Sequence, residues 1–166
     1  MRVNLLIVLT VFLVYGNVTA QKTVNKDATV ETKAKSAKKM TKIDVLMSLK
    51  EFEFSAYTVL PMNSGPRNVV GDNYAVRFSP TKIESVLPYF GSKRGSAYGR
   101  DKGMRFSGKP IDYTIKQSDG MYTVTAKVRA RGGAYDISME VFDTGSATLT
   151  IMSENRDTMR YRGEVR

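Results

Sequence analysis

The chain has 166 residues and a formal net charge of +10, and it contains neither histidine nor cysteine. Those two absences remove the commonest general base, the thiolate nucleophile, disulfide staples and every Cys/His zinc pattern. Stability must then come from a packed core, and any chemistry from carboxylates, hydroxyls, lysines and arginines.

The charge is concentrated rather than spread. Residues 21–50 hold eight lysines against Asp27, Glu31 and Asp44, and residues 91–109 hold Lys93, Arg94, Arg100, Lys102, Arg105 and Lys109 against Asp101. Outside these two stretches the part from Glu51 onward is close to neutral. A nucleic-acid-binding face calls for a basic stripe across an element. One tail and one loop do not make such a face, so nucleic acid is not expected as a partner.

Residues 1–20 read as a secretory leader. Arg2 supplies the positive start, the apolar run over 5–15 is broken only by Thr10, and Val18-Thr19-Ala20 places small residues at the cleavage position after Ala20. The run is shorter than the roughly 18 residues that span a bilayer, and no later stretch is long enough. The expectation is an exported protein, periplasmic or secreted, with no transmembrane segment after cleavage. The sole Asn-x-Thr acceptor, Asn17-Val18-Thr19, falls inside the leader.

Residues 21–40 are lysine- and threonine-rich, without apolar periodicity, and read as a disordered basic tether. A single domain is expected over 41–166. It opens with a short helix at 41–49: Thr41 and Asp44 have capping-box spacing, and Met40, Ile43, Leu46 and Met47 share a stripe. That helix is placed to cover an end or edge of a sheet.

Strand alternation begins at 51–60, with Phe52, Phe54 and Ala56 on one face and Glu53, Ser55 and Tyr57 on the other. Residues 61–72 read as a loop, 74–78 as a second strand and 83–87 as a third. Pro88 lacks a backbone donor and ends the pairing. The glycine-rich basic run 91–109 then reads as the loop that joins this leading hairpin to five further strands.

Turn chemistry sets the registers of those five. Asp119-Gly120 suits a two-residue type I′ turn, which places Gln117 opposite Tyr122, Ile115 opposite Val124, Tyr113 opposite Ala126 and Ile111 opposite Val128. Gly132-Gly133 as a second such turn places Ala130 opposite Tyr135, Val128 opposite Ile137 and Arg129 opposite Asp136. Asp143-Thr144-Gly145 suits a three-residue loop that aligns Val141 with Ala147, Met139 with Leu149 and Ile137 with Ile151. Asn155-Arg156 marks the last turn, and Met159, Tyr161, Gly163 and Val165 continue the inner face.

The fold expected is mostly all-β: an antiparallel barrel or sandwich of about eight strands, ending in a five-strand meander and preceded by one short helix. Ala126, Ala147 and Gly163 are small residues on the inner face. Either the sheet curves there and another element fills the room, or a cavity takes a small apolar ligand as in a lipocalin-like carrier.

No motif assigns an activity. The glycines of 91–108 lack Gly-x4-Gly-Lys-Ser/Thr spacing and precede no helical pattern, so they do not form a phosphate cradle. A carboxylate-based hydrolase needs an acid in a desolvating site. Asp112, Asp136 and Glu140 instead fall on the polar face. The reading is a non-catalytic protein with no cofactor and no metal, binding through the basic loop with Tyr89, Phe90, Lys93, Arg94, Tyr98, Arg100, Lys102 and Arg105. An envelope glycan, an anionic lipid headgroup or an acidic protein surface fits such a loop.

Leu87-Pro88-Tyr89-Phe90-Gly91, Phe106, Gly145-Ser146-Ala147-x-Leu149, Ser153-x-Asn155-Arg156 and Tyr161-x-Gly163 together resemble the bacterial family called domain of unknown function 4251. The likeness runs from about Met47 to the C-terminus. It implies an exported single-domain protein typical of Bacteroidetes-type bacteria, and it brings no activity or catalytic residues.

Overall fold

The structure is a computed structural model that describes residues 39–91, 103–131 and 133–166. Residues 1–38, which hold the expected leader and almost all of the expected tether, lie outside the described residues, as do 92–102 and 132. No helix among the described residues is long and apolar enough to cross a membrane.

Helix α1 spans Lys42–Leu49 and starts where its capping box predicts. The Thr41 side chain accepts from the Asp44 N–H at 3.1 Å, and the Asp44 carboxylate accepts from the Thr41 N–H at 2.7 Å. Lys50 ends the helix in the left-handed region at φ 57°. Of the four residues on the predicted stripe, Ile43 and Met47 are buried, Leu46 packs at the margin of the core, and Met40 is exposed.

Ten strands follow: β1 Phe52–Pro61, β2 Arg67–Asn68, β3 Ala75–Phe78, β4 Ile83–Pro88, β5 Gly103–Gly108, β6 Pro110–Ser118, β7 Met121–Ala130, β8 Gly133–Phe142, β9 Ser146–Ser153 and β10 Arg156–Val165. They form one sheet in the order β5-β4-β3-β1-β10-β9-β8-β7-β6, with β2 paired to β1 and every ladder antiparallel. The sheet curls into a nearly closed barrel. Lys109 alone separates β5 from β6, so one stretch of chain pairs with β4 in its first half and with β7 in its second. Gly108 lies so close to β7 at this seam that a Cβ there would sit 2.6 Å from the Arg129 carbonyl oxygen.

Two of the predicted turns hold. Asp119 and Gly120 both have positive φ, 51° and 79°, and Gln117, Ile115 and Tyr113 pair with Tyr122, Val124 and Ala126. Gly145 takes φ 90°, and Val141, Met139 and Ile137 pair with Ala147, Leu149 and Ile151.

Four expectations are corrected. Residues 103–108 are a strand, not loop: β4 and β5 form a hairpin, and the crossing to the meander is at Lys109. Gly133 pairs with Ala130, so it belongs to the ladder rather than the turn, and Val128 faces Tyr135 instead of Ile137. Asp136 accordingly faces Lys127 rather than Arg129, with an ion pair at 3.3 Å. A bulge between Pro110 and Asp112 brings Pro110 opposite Val128, and it leaves Ile111 55% exposed.

The inner face is lined by buried, mostly apolar side chains. Phe54, Tyr135, Tyr161, Met104, Met139, Leu149 and Ile151 are fully buried. Phe54 lies over Gly163, where a Cβ would come 2.9 Å from its ring and 1.9 Å from the Ser55 carbonyl oxygen. Glycine at 163 therefore lets β1 and its aromatic side chain seat on β10. A bulge between Ala56 and Thr58 then shifts the alternation of β1 and turns Val59 into the core.

Candidate functional site

Strands β4 and β5 pair within the sheet, and Pro88, Tyr89, Phe90 and Gly91 lie at the end of β4 beside the β9–β10 connection. Pro88 closes β4 in register with Gly103, and the Tyr161 hydroxyl donates to the Pro88 oxygen at 2.8 Å. Burial pushes the Tyr161 hydroxyl well above the usual phenol range, and the nearby Tyr89 adds to that shift. It stays protonated and serves as a donor.

Tyr89 turns toward the β9–β10 connection rather than to solvent. Its hydroxyl accepts from the Asp157 N–H at 2.9 Å, and the Arg156 guanidinium sits 5.5 Å from its ring centroid. Arg156 also donates through Nη1 to the Gly103 carbonyl, which joins the start of β5 to the same anchor. Gly91 leaves room for this arrangement, since a Cβ there would lie 2.8 Å from the Tyr89 hydroxyl.

Phe90 differs from its neighbour. It is 37% exposed, and the Arg67 guanidinium lies over its ring at 4.4 Å from the centroid. Arg67 belongs to β2, the two-residue strand inside the stretch read from sequence as loop. It was missed because nothing in Gly65-Pro66-Arg67 signals pairing; its place depends on Val59, the β1 residue it pairs with.

Phe106, which lies in the same basic run, is 6% exposed and stacks on Tyr135 with ring centroids 4.1 Å apart. Arg105 is exposed on the outer side of β5. Tyr89 acts as an anchor, whereas Phe90, Arg67 and Arg105 are open to solvent. Lys93, Arg94, Tyr98, Arg100 and Lys102 lie outside the described residues.

Among the described residues the buried polar side chains are Ser55 and Ser85, and Ser85 donates to the Met104 carbonyl at 2.7 Å. No group of three or more carboxylates is arranged to hold a cation among those residues.

The described residues form an antiparallel β-barrel with α1 at one end and the stack of Arg67 on Phe90 at the other. The chain belongs to the family described as Domain of unknown function (DUF4251), whose model matches residues 34–165. Its fold is similar to the crystal structure of a DUF4251 family protein from Bacteroides eggerthii DSM 20697, with a TM-score of 0.56 and 16% identity over 73% of this chain and 82% of that one. No curated protein matches. Several residues that carried the resemblance in sequence meet in space at the hairpin base: Pro88 with Tyr161, Gly91 with Tyr89, and Tyr89 with Arg156.

Proposed function

We propose that this protein is an exported, non-catalytic binding or structural domain of the cell envelope that engages an anionic partner through the hairpin end of its barrel. The observation that carries the reading is the Arg67–Phe90 stack, an apolar ring held half-open beneath a guanidinium at the foot of a strongly cationic hairpin. A ring face and guanidinium donors together suit an acidic glycan, an anionic lipid headgroup or an acidic protein surface. The absence of histidine and cysteine supports a role without catalysis. A lipocalin-like carrier of a small apolar ligand is the competing reading, and the seating of Phe54 on Gly163 speaks against it.

The test is salt-titrated retention of the purified protein on envelope glycans, anionic vesicles and envelope protein extract. Retention on one of the three that falls steeply between low and physiological salt is expected. Arg67→Ala with Phe90→Ala should weaken it about tenfold, as should reversal of charge at Lys93, Arg94, Arg100 and Lys102. Retention on none of them, or retention unchanged in both variants, refutes the proposal.

A further inference from the structure

The sheet leaves the outer edge of β6 open. This strand stands last in the strand order and pairs only with β7. In the two-residue hairpin at Asp119-Gly120 the flanking residues Ser118 and Met121 exchange backbone bonds, and so do Lys116 with Thr123 and Thr114 with Thr125. The N–H and C=O groups of Tyr113, Ile115 and Gln117 therefore point away from β7. Lys50 reports that direction, since its Nζ donates to the Tyr113 oxygen at 3.3 Å. Among the described residues no backbone group pairs with Ile115 or Gln117 on this side.

Open edges invite pairing, and a lone charge on the strand is a common defence. On β6 two charges remove that defence in one arrangement. Asp112 and Lys116 are both exposed on the outer face, two residues to either side of Thr114. Neither forms an ion pair among the described residues. When a second β6 runs antiparallel with Thr114 opposite Thr114, each Asp112 faces the other copy's Lys116, and two-fold symmetry makes the pair twice. Centring on Asp112 or on Lys116 instead opposes like charges.

The same register suits the inner face. It sets Tyr113 opposite Ile115 of the second copy, and both are half-buried residues at the margin of the core. Their outward N–H and C=O groups can then exchange bonds. The Tyr113 oxygen keeps a second lone pair beside the one used by Lys50. Helix α1 runs beside this edge, held there by Asp44 to Tyr122 and by Lys50 to Tyr113. Between helix and strand lies a groove of about 540 Å³ lined by Met40, Asp44, Met47, Ser48, Ile115 and Gln117, with Met40 64% exposed. Apolar surface thus continues from the strand edge to the helix.

We propose that the protein forms a two-fold dimer by antiparallel pairing of β6 with β6 of a second copy, centred on Thr114. The sheet then continues from one barrel into the next. Neither Arg67 nor Phe90 takes part, so this interface is separate from the anionic-partner surface.

Sedimentation equilibrium of the purified protein over the micromolar to millimolar range tests this. A reversible monomer–dimer equilibrium is expected. Asp112→Lys or Lys116→Asp should weaken it about tenfold, because symmetry turns either change into two like-charge pairs. Asp112→Lys combined with Lys116→Asp exchanges the signs and should restore association. Both side chains are exposed, so the fold should persist in all three variants. In the dimer, amide hydrogen exchange should slow at Tyr113 and Ile115 and stay unchanged at Thr114 and Lys116, whose N–H groups already serve β7. A protein that remains monomeric throughout the range overturns the proposal. So does a dimer that either single variant leaves unchanged, one that the double variant fails to restore, or one in which Tyr113 and Ile115 gain no protection.

Discussion

The two ends of the barrel are both fastened through tyrosine hydroxyls, but with different partners. At the helix end Tyr122 donates to Asp44 Oδ1 at 2.6 Å, while Asp44 Oδ2 serves the capping box three residues away. At the hairpin end Tyr161 donates to a carbonyl and Tyr89 accepts a backbone N–H beneath Arg156. The helix end is thus tied by a carboxylate whose position follows from local helix chemistry. The ties at both ends join groups far apart in the chain, 78 residues at the helix end and 68 and 73 at the hairpin end. One end is therefore fastened to a carboxylate, and the other to backbone groups.

The sharpest way to break this comparison is to disturb the frame on which both ends depend. Gly163→Ala would drive a Cβ into the Ser55 carbonyl and the Phe54 ring, so β1 must move off β10. A loss of about 3 kcal/mol or more is expected, with a thermal midpoint lower by about 10 °C or more in a calorimetric scan. An unchanged midpoint would mean that the two strands do not meet as described.

Tyr161→Phe comes next. It leaves the buried Pro88 carbonyl without its donor, a cost of about 2 kcal/mol in chemical denaturation. Hydrogen exchange should rise in Gly103–Gly108 and stay unchanged in Lys42–Leu49; equal loss at both ends would dissolve the distinction between them.

The smallest effect belongs to Tyr122→Phe, about 1 kcal/mol, confined to α1. Burial, the Asp44 bond and the Asp44 charge push the Tyr122 hydroxyl from 10.0 up to about 12. A group whose folded pKa is raised contributes its full stabilisation below the unfolded value, and loses it as the pH climbs through the folded one. Wild-type helix docking should therefore weaken between about pH 10 and 12, and circular dichroism of the variant should show a shallower decline across that window.

The helix end was legible because its signals are local. Thr41 and Asp44 are three residues apart, and Asp119-Gly120 requires a turn that alternation on both flanking strands confirms. The register after β7 was misread for a definite reason: a shift of two residues leaves every side chain on its own face, so the pattern that fixed parity could not fix partners. Bulges at Ala56/Thr58, Pro110/Asp112 and Arg156/Met159 were invisible because alternation looks regular on either side of each. The basic run hid β5 because charge drew attention from the alternation of Met104 and Phe106, both buried. Arg67 entered its place only through the tertiary contact made by a two-residue strand.

The pairing of β1 with β10 has a kinetic consequence. These are the first and last strands of the chain, and their ladder joins Phe54 to Val165. The hairpins among β6 to β10 can form from neighbouring residues, whereas this ladder must close a loop of about a hundred residues before any of its bonds form. The meander is expected to collapse first, and β1 to dock late with α1, which precedes it directly. Until then Tyr161 and Leu149 face an unfilled side of the sheet, so the slow step of folding should be the arrival of the N-terminal strand.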